Sequence, residues 1–336
     1  MSNNLRFGVI GAGRIGKIHA ENLAYRIPGA CVTAIADINL PAAKETANRL
    51  QIPNALEDYH AILTDPSIDA IAICSSTDTH ARLVIEAAIA GKHIFCEKPI
   101  DHDLEKIDDA LQAVEKAGVK LQVGFNRRYD PNFHKIYSMV AEGKIGSPHI
   151  LRITSRDPAP PPMEYIRVSG GIFLDMTCHD FDMARYLMGC EVEEIFVAGS
   201  VMVDTEIGKA GDIDTAIIVL RFENGAVGSI DNSRQAVYGY DQRVEIFGSG
   251  GMLAANNNTP DNSVYSNADG VHSAKPLYFF LERYMESFIA EMNQFVACLQ
   301  NDTPPSVTGI DGRIAVLMGI AAKKSYLEKR PVRVFD

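Results

Sequence analysis

The sequence predicts an α/β domain with a doubly wound parallel sheet, followed by an α+β domain with a large, mainly antiparallel open sheet. Short apolar runs and helical patterns alternate strictly over the first third, which indicates a parallel sheet covered on both faces. Beyond residue 125, longer runs alternate in the manner of half-buried antiparallel strands. The 336 residues also exceed what a single core usually supports.

The first domain is predicted over residues 1–125. Its strands are predicted at residues 6–10, 31–36, 70–74, 93–96 and 120–123. Its helices, which have apolar residues at three- and four-residue spacing, are predicted at residues 16–26, 41–50, 80–90 and 104–117.

The second domain is predicted over residues 126–336, with a C-terminal helix that can pack back on the first domain. Its strands are predicted at residues 147–156, 193–203, 214–222, 226–234 and 242–247, with hairpin turns at 223–225 and 248–251. Its helices are predicted at residues 131–142, 173–188, 277–300 and 309–328. The polar stretch 256–273 is predicted as a long loop, which is tolerable in a compact domain if it is functional or covers a partner.

Composition excludes several classes of protein. A net charge of -11 leaves no basic excess for nucleic acid or an anionic membrane, and no apolar stretch is long enough to span a bilayer. The six cysteines form neither a CxxC pair nor a Cys/His cluster at metal-ligand spacing. With no signal-peptide pattern before the first strand, we expect a cytoplasmic protein without a structural metal.

A glycine-rich motif, Gly11-Ala-Gly-Arg-Ile-Gly16, follows the first predicted strand and opens the first helix. In this context Gly11 permits a tight turn, Gly13 lets a pyrophosphate approach, and Gly16 lets helix and strand pack closely. Asp37 ends the second strand, where a carboxylate accepts from ribose hydroxyls and repels a 2′-phosphate; a helix N-cap is its alternative role. The motif predicts a Rossmann-type site that prefers NAD over NADP. Its candidate cofactor-binding residues are Gly11, Gly13, Arg14, Ile15, Gly16 and Asp37.

Polar residues also follow the third and fourth of these strands. The segment Ser75-Ser-Thr-Asp-Thr-His80 offers hydroxyls and an imidazole where the ribose and nicotinamide end would cross, although it can also be a polar connection that caps the next helix. In Glu97-Lys98-Pro99, the lysine can stabilise alkoxide character on a substrate hydroxyl, unless it is an ordinary solvated side chain. The candidates in these segments are Ser75, Thr77, His80, Glu97 and Lys98.

An acid/base pair is predicted at Asp175 and His179, four residues apart in the helix predicted at 173–188. At that spacing two side chains share one helix face, with Cβ atoms ~5–6 Å apart. The carboxylate can then fix the tautomer of the imidazole and support its protonated form. A surface ion pair is the alternative.

These motifs together resemble the glucose-fructose oxidoreductase / inositol dehydrogenase / rhizopine catabolism (Gfo/Idh/MocA) family, over essentially the full chain. The segments that carry the resemblance are residues 5–16, 96–99, 124–130 and 170–182. The resemblance implies that Lys98 lies near nicotinamide and substrate with a cis bond to Pro99. It also implies that His179 is the general base and Asp175 its partner. The substrate-binding candidates that it implies are Lys98, Arg127, Asp157, Asp175, His179, Asp182 and Tyr240.

The activity implied by the resemblance is NAD-dependent oxidation of a ring secondary alcohol, myo-inositol to scyllo-inosose, by a homotetramer without a metal. Asn126 stands where other members carry an apolar residue, and Asp157 where some carry Asn, so the polyol isomer stays open. Oxidation of scyllo-inositol or glucose is one alternative. A non-catalytic, cofactor-bound sugar sensor is another, although it would have no need of the lysine, aspartate and histidine together.

Overall fold

A computed structural model describes residues 4–335 of the chain. The described residues form two compact units. The first contains the residues up to Tyr129 together with Glu286–Val316, and the second contains Asp130–Met285 together with the residues from Leu317 onward. In neither unit does a described helix have the length and apolar character needed to cross a membrane.

The first unit is built on a six-stranded parallel sheet. Its strands are β1 (Leu5–Ile10), β2 (Ala30–Ala36), β3 (Asn54–Leu56), β4 (Ala70–Ile73), β5 (His93–Cys96) and β6 (Leu121–Val123). Its connecting helices are α1 (Arg14–Tyr25), α2 (Leu40–Leu50), α3 (His60–Thr64), α4 (Thr77–Ile89) and α5 (Leu104–Ala117). In the strand order β3-β2-β1-β4-β5-β6, successive strands are added on one side of β1 up to β3 and on its other side from β4 onward. Ligands of such sheets bind beyond the carboxyl ends of the strands at this switch point, between β1 and β4.

The second unit contains a seven-stranded sheet in the order β12-β11-β7-β10-β9-β8-β15 and a separate hairpin. The strands are β7 (Pro148–Arg156), β8 (Val192–Ser200), β9 (Thr215–Phe222), β10 (Val227–Ser233), β11 (Asp241–Gly248), β12 (Gly251–Ala255), β13 (Val264–Asn267), β14 (Gly270–Ser273) and β15 (Val332–Arg333). The helices are α6 (Pro131–Ala141), α7 (Met163–Ile166), α8 (Ile172–Asp175), α9 (Thr177–Met188), α10 (Thr205–Lys209) and α11 (Phe280–Arg283). All pairs in the large sheet are antiparallel except β7 with β10, which confirms the predicted fold class.

Two long helices complete the chain, α12 (Met285–Asn301) and α13 (Gly309–Glu328). Residues of α12 pack on the first sheet, where the ring of Phe295 lies 6.2 Å from the rings of both Phe7 and Phe95. All three side chains are fully buried. These α12 residues follow the predicted boundary at 125/126 by about half the length of the chain, yet they contribute to the core of the first unit.

Several elements differ from the predicted ones. The predicted helix 173–188 is interrupted at Met176, and the predicted helix 277–300 is α11 followed by α12, with a break at Tyr284. The stretch predicted as a loop at 256–273 carries the hairpin of β13 and β14. The sequence patterns also did not predict β3 and α3; no residue of β3 is buried, and α3 has only five residues.

Candidate functional site

The glycine loop between β1 and α1 has the form that a dinucleotide requires. Gly11 has a φ of +105°, and a Cβ placed there would lie 2.5 Å from the carbonyl oxygen of Cys74. A Cβ at Gly16 would lie 2.0 Å from the carbonyl oxygen of Gly11. At Gly13, by contrast, no described residue other than its chain neighbours has a heavy atom within 4 Å of the added Cβ, so its outer side is open. Gly13 is also the N-cap of α1 without a side-chain cap, which leaves helix N–H groups for phosphate oxygens.

Asp37 braces this loop from the end of β2. Its Oδ2 accepts from the backbone N–H of Ala12 at 2.6 Å, and its Oδ1 accepts from the N–H of Asn39 at 2.8 Å. The N-cap of α2 is Asn39, so the alternative of a cap role for Asp37 is wrong. Because a carboxylate has about four lone-pair sites, Asp37 retains acceptors for ribose hydroxyls. Arg14 is exposed at the start of α1, and Ile15 is half-buried beside it.

The segment after β4 is tied to the segment after β5 through His80. The ring of this buried histidine lies 2.8 Å (Nδ1) from the carbonyl oxygen of Pro99 and 3.0 Å (Nε2) from that of Ser75. The hydroxyls of Ser75 and Thr79 are 2.6 Å apart, and Thr77 begins α4. In this arrangement His80 holds the two strand ends together, and its predicted contact with the cofactor stays a prediction.

Lys98 follows β5 and is half-buried. Its backbone N–H donates to Oε2 of Glu97 at 3.3 Å, and its peptide bond to Pro99 is cis, as the resemblance implied. Arg127 lies after β6 in a 3₁₀ turn (Asn126–Tyr129) and is buried. The first unit therefore carries the glycine loop, Asp37, the segment after β4 and the lysine at the carboxyl ends of adjacent parallel strands.

In the second unit, Asp175 is the last residue of α8, and His179 lies in the first turn of α9. The prediction of one continuous helix through both residues is wrong. The hydroxyl of Thr177 lies 3.2 Å from the carbonyl oxygen of Ile172, so a side chain offers the backbone an alternative partner at the break. The chain is helical again from Thr177, and the N–H of His179 donates to the carbonyl of Met176.

Two side chains that the sequence patterns did not single out contact Asp175, and a third contacts one of these two. The hydroxyl of Tyr165 donates to its Oδ1 at 2.7 Å, and Nη1 of Arg234 donates to its Oδ2 at 3.3 Å. Arg234 is fully buried, and its Nη2 lies 3.5 Å from Oδ2 of Asp212. Asp212 in turn accepts from the N–H of Ile172 at the start of α8. The only sequence signal for Arg234 was its place at the end of a predicted strand.

The other predicted substrate residues of this unit occupy buried or half-buried positions. Asp157 follows β7, and its backbone bonds to Ser233 and Ala236 place it beside the end of β10. Asp182 is fully buried in α9, one turn after His179. Tyr240 is buried before β11, with its ring 6.0 Å from that of Tyr284. The polyol contacts predicted for these residues stay predictions.

The chain matches two protein-family models and is similar to several known dehydrogenases. Residues 5–125 match the family model described as an oxidoreductase family with an NAD-binding Rossmann fold, and residues 133–254 match the model of the GFO/IDH/MocA C-terminal domain. A myo-inositol 2-dehydrogenase of Thermotoga maritima is 55% identical over 98% of this chain and 98% of its own. An inositol 2-dehydrogenase of Rhizobium meliloti is 43% identical over 98% of this chain and 99% of its own.

A solved structure gives a similar result. The scyllo-inositol dehydrogenase of Lactobacillus casei with bound NAD(H) and scyllo-inositol superposes with a TM-score of 0.93 at 29% identity, covering 99% of this chain and 100% of the other. The geometry of the glycine loop and the match to an NAD-binding family model therefore agree that this loop is part of an NAD-binding site.

Proposed function

Because the chain belongs to the Gfo/Idh/MocA oxidoreductase family, we propose that it oxidises myo-inositol to scyllo-inosose with NAD as the hydride acceptor. The observation that carries the proposal is the setting of Asp175, where the buried cation of Arg234 and the hydroxyl of Tyr165 hold a carboxylate four residues before His179. A carboxylate fixed in this way can orient an imidazole and stabilise its protonated form. A surface ion pair, the alternative, would have no buried guanidinium behind it.

In the proposed reaction, His179 takes the proton of the substrate hydroxyl as general base. The carboxylate of Asp175 orients the imidazole and stabilises the imidazolium that forms. The ammonium of Lys98 donates a hydrogen bond to a substrate hydroxyl and so stabilises its alkoxide character. NAD, when bound, supplies the nicotinamide carbon that accepts the hydride. No step requires a metal, because the proton and the hydride leave the carbinol by separate routes.

The remaining candidates serve recognition. Carboxylates of Asp157 and Asp182 accept hydrogen bonds from ring hydroxyls of a polyol, while Arg127 and Tyr240 donate to them. Asp37 selects NAD, because its carboxylate accepts from ribose hydroxyls and would repel a 2′-phosphate. Gly11, Gly13, Arg14, Ile15 and Gly16 hold the pyrophosphate side of NAD, with Ser75, Thr77, His80 and Glu97 towards its nicotinamide end.

The decisive experiment compares His179→Ala with wild type. General base catalysis contributes about 10²–10⁴-fold, and we expect a loss of that size in kcat with NAD affinity unchanged by calorimetry. His134→Ala is the control, since this exposed histidine of α6 bonds to a tyrosine hydroxyl in the same unit. Unchanged turnover in H179A would refute the assignment.

A polyol panel read at the reduced-nicotinamide absorbance completes the test. It includes myo-inositol, scyllo-inositol and glucose, because a relative 36% identical to the chain is a scyllo-inositol 2-dehydrogenase. The largest kcat/KM identifies the substrate. No signal with any polyol would favour a sensor instead.

A homotetramer, formed through the open face of the large sheet, is part of the proposal. The strand register places several exposed apolar side chains on one face of the sheet. They are Phe196, Ile217, Val219, Val227, Phe247 and Met252. Exposed apolar side chains on one sheet face favour an interaction site, and a second copy covers it with the same residues. A cytoplasmic location is proposed on the ground that the six cysteines are free thiols.

A further inference from the structure

A cluster of three buried titratable side chains lies within the first unit, one each from α1, the end of β5 and α12. Nε2 of His19 is 2.7 Å from Oε1 of Glu97 and 3.9 Å from Oε1 of Glu291. The side chains of His19 and Glu291 are fully buried, and that of Glu97 is 12% exposed. The rings of Phe95 and Phe288 pack on the imidazole and separate it from solvent.

The three groups cannot all carry their ordinary charges, because an uncompensated charge in such a site costs several kcal/mol. His19 and Glu97 can compensate each other as a charge-assisted pair at 2.7 Å. Glu291 would be the excess anion, and neither of its carboxyl oxygens has a hydrogen-bond partner among residues 4–335. Burial, and after it the carboxylate of Glu97, holds the pKa of Glu291 well above its usual range.

Two cysteines near the cluster do not alter this balance. Burial, and next the charge of Glu97, raises the pKa of the Cys74 and Cys96 thiols well above their usual range, so both stay neutral. The cluster is therefore electrically neutral when His19 is protonated, Glu97 is ionised and Glu291 is a carboxylic acid.

Glu97 connects this cluster to the lysine of the proposed active site. Its Oε1 bonds to His19, and its Oε2 accepts from the backbone N–H of Lys98 at 3.3 Å. A Cβ at Gly124, on the neighbouring strand end, would lie 3.0 Å from Oε2, so the carboxylate occupies space that a side chain at this position would need. His19 belongs to α1, the helix that begins at the glycine loop. One carboxylate thus joins that helix to the main chain of Lys98.

We propose that His19 and Glu291 are positioning residues for Lys98. His19 anchors the carboxylate of Glu97, and Glu291 closes the cluster as a neutral acid. Together they fix the main chain from which the lysine reaches the substrate. This inference rests on the proposed function of Lys98, and it adds two buried residues to the determinants of that reaction. A displacement of about 1 Å at a reacting group can cost about 10²-fold in rate, so the effect is measurable.

The kinetic test uses His19→Gln, which keeps a donor without the charge, and His19→Leu, which removes both. We expect H19L to lower kcat by about 10–10²-fold with NAD affinity unchanged, and H19Q to recover part of the loss. His93→Leu is the matched control, because His93 lies at the other end of β5 and takes no part in the cluster. A lower melting temperature and weaker NAD binding in H19L, with unchanged kcat, would show a merely structural role and overturn the proposal.

A second variant, Glu291→Gln, tests the protonation state and does not depend on how H19L folds. Because Gln has the shape of a neutral carboxylic acid, E291Q should keep the wild-type melting temperature. Infrared spectroscopy should show a protonated carboxylic-acid band in wild type that is absent from E291Q. The absence of this band in wild type would overturn the proposal. Stoichiometric bound metal together with an inactive E291Q would also overturn it, in favour of a cation held by the three side chains.

Failure of the proposed function gives a different result. A wild type that turns over no polyol rejects the proposed reaction and, with it, the positioning role. The infrared band and the metal content of the purified protein still decide the charge state of the cluster.

Discussion

The replacement of Arg234 by Met removes a buried cation and leaves the packing volume nearly unchanged. Arg234 is fully buried, and its guanidinium lies 3.3 Å from Asp175 and 3.5 Å from Asp212, whose side chains are 13% and 12% exposed. After the substitution, the mostly buried carboxylates of Asp175 and Asp212 both lose the guanidinium that lies beside them. Both the stability of the second unit and the setting of Asp175 should suffer.

The expected loss of stability in R234M depends on the burial of the ion pair rather than on its N–O distance. Breaking a buried ion pair by removing one partner costs about 3–5 kcal/mol, and the slight exposure of the two carboxylates places R234M near the lower end, at about 3 kcal/mol. The pair of Arg333 and Glu193 has the same separation, 3.3 Å, but its side chains are 60% and 40% exposed. Solvent screens such a pair, so R333M should cost about 0–1 kcal/mol. The two variants compare one distance at two degrees of burial.

The assay is urea denaturation followed by far-UV circular dichroism, since the chain contains no tryptophan. Asp212→Asn keeps the acceptor for the N–H of Ile172 while removing one of the two charges. The double variant R234M/D212N should therefore regain part of the stability lost by R234M. In the dehydrogenase assay, R234M should also lower kcat, because Asp175 loses the side chain that orients it.

Equal stability of R234M and R333M would refute the argument from burial. A double variant that is less stable than R234M would show that the loss arises from packing and not from uncompensated carboxylates.

Two further predictions concern the cofactor loop and the sheet face. Gly16→Ala places a methyl group 2.0 Å from the carbonyl oxygen of Gly11 and should abolish NAD binding in calorimetry. The methyl group of Gly13→Ala has no described residue other than its chain neighbours within 4 Å. This variant should therefore fold normally but bind NAD more weakly. Wild-type affinity in G16A would contradict the close helix–strand packing. Val219→Asp, at a half-exposed position on the apolar sheet face, should dissociate the proposed tetramer. Size-exclusion chromatography with light scattering measures the oligomeric state, and Lys209→Asp, at an exposed position, is the control. An intact V219D tetramer would exclude that face as the interface.

Local pattern was sufficient for much of the first unit. The alternation of apolar runs predicted five of its six strands, and the motif from Gly11 to Gly16 predicted a loop in which Gly11 takes a positive φ. These features depend on neighbouring residues, because a turn, a helix start and a strand each arise within a few positions. The third strand was not predicted; none of its three residues is buried, whereas all three residues of the equally short β6 are.

The candidate site divides in the same way. Asp175 and His179 were recognised by their spacing and by family resemblance, but the helix break at Met176 was not, because it involves the hydroxyl of Thr177 and no proline or glycine. The partners of Asp175 were also unrecognised. Tyrosine and arginine are common on protein surfaces, so neither residue type indicates in the sequence that it contacts a mostly buried carboxylate.

By itself, the sequence determined the fold class, the cofactor loop and the identity of the proposed acid/base residues. Tertiary structure alone decided that Arg234 supports Asp175 across 59 positions of chain, and that His19 meets Glu97 across 78. Glu291, still further along, joins that pair from α12. Such contacts have no local signature, because the free energy of a buried charge depends on which distant groups share its low-dielectric surroundings.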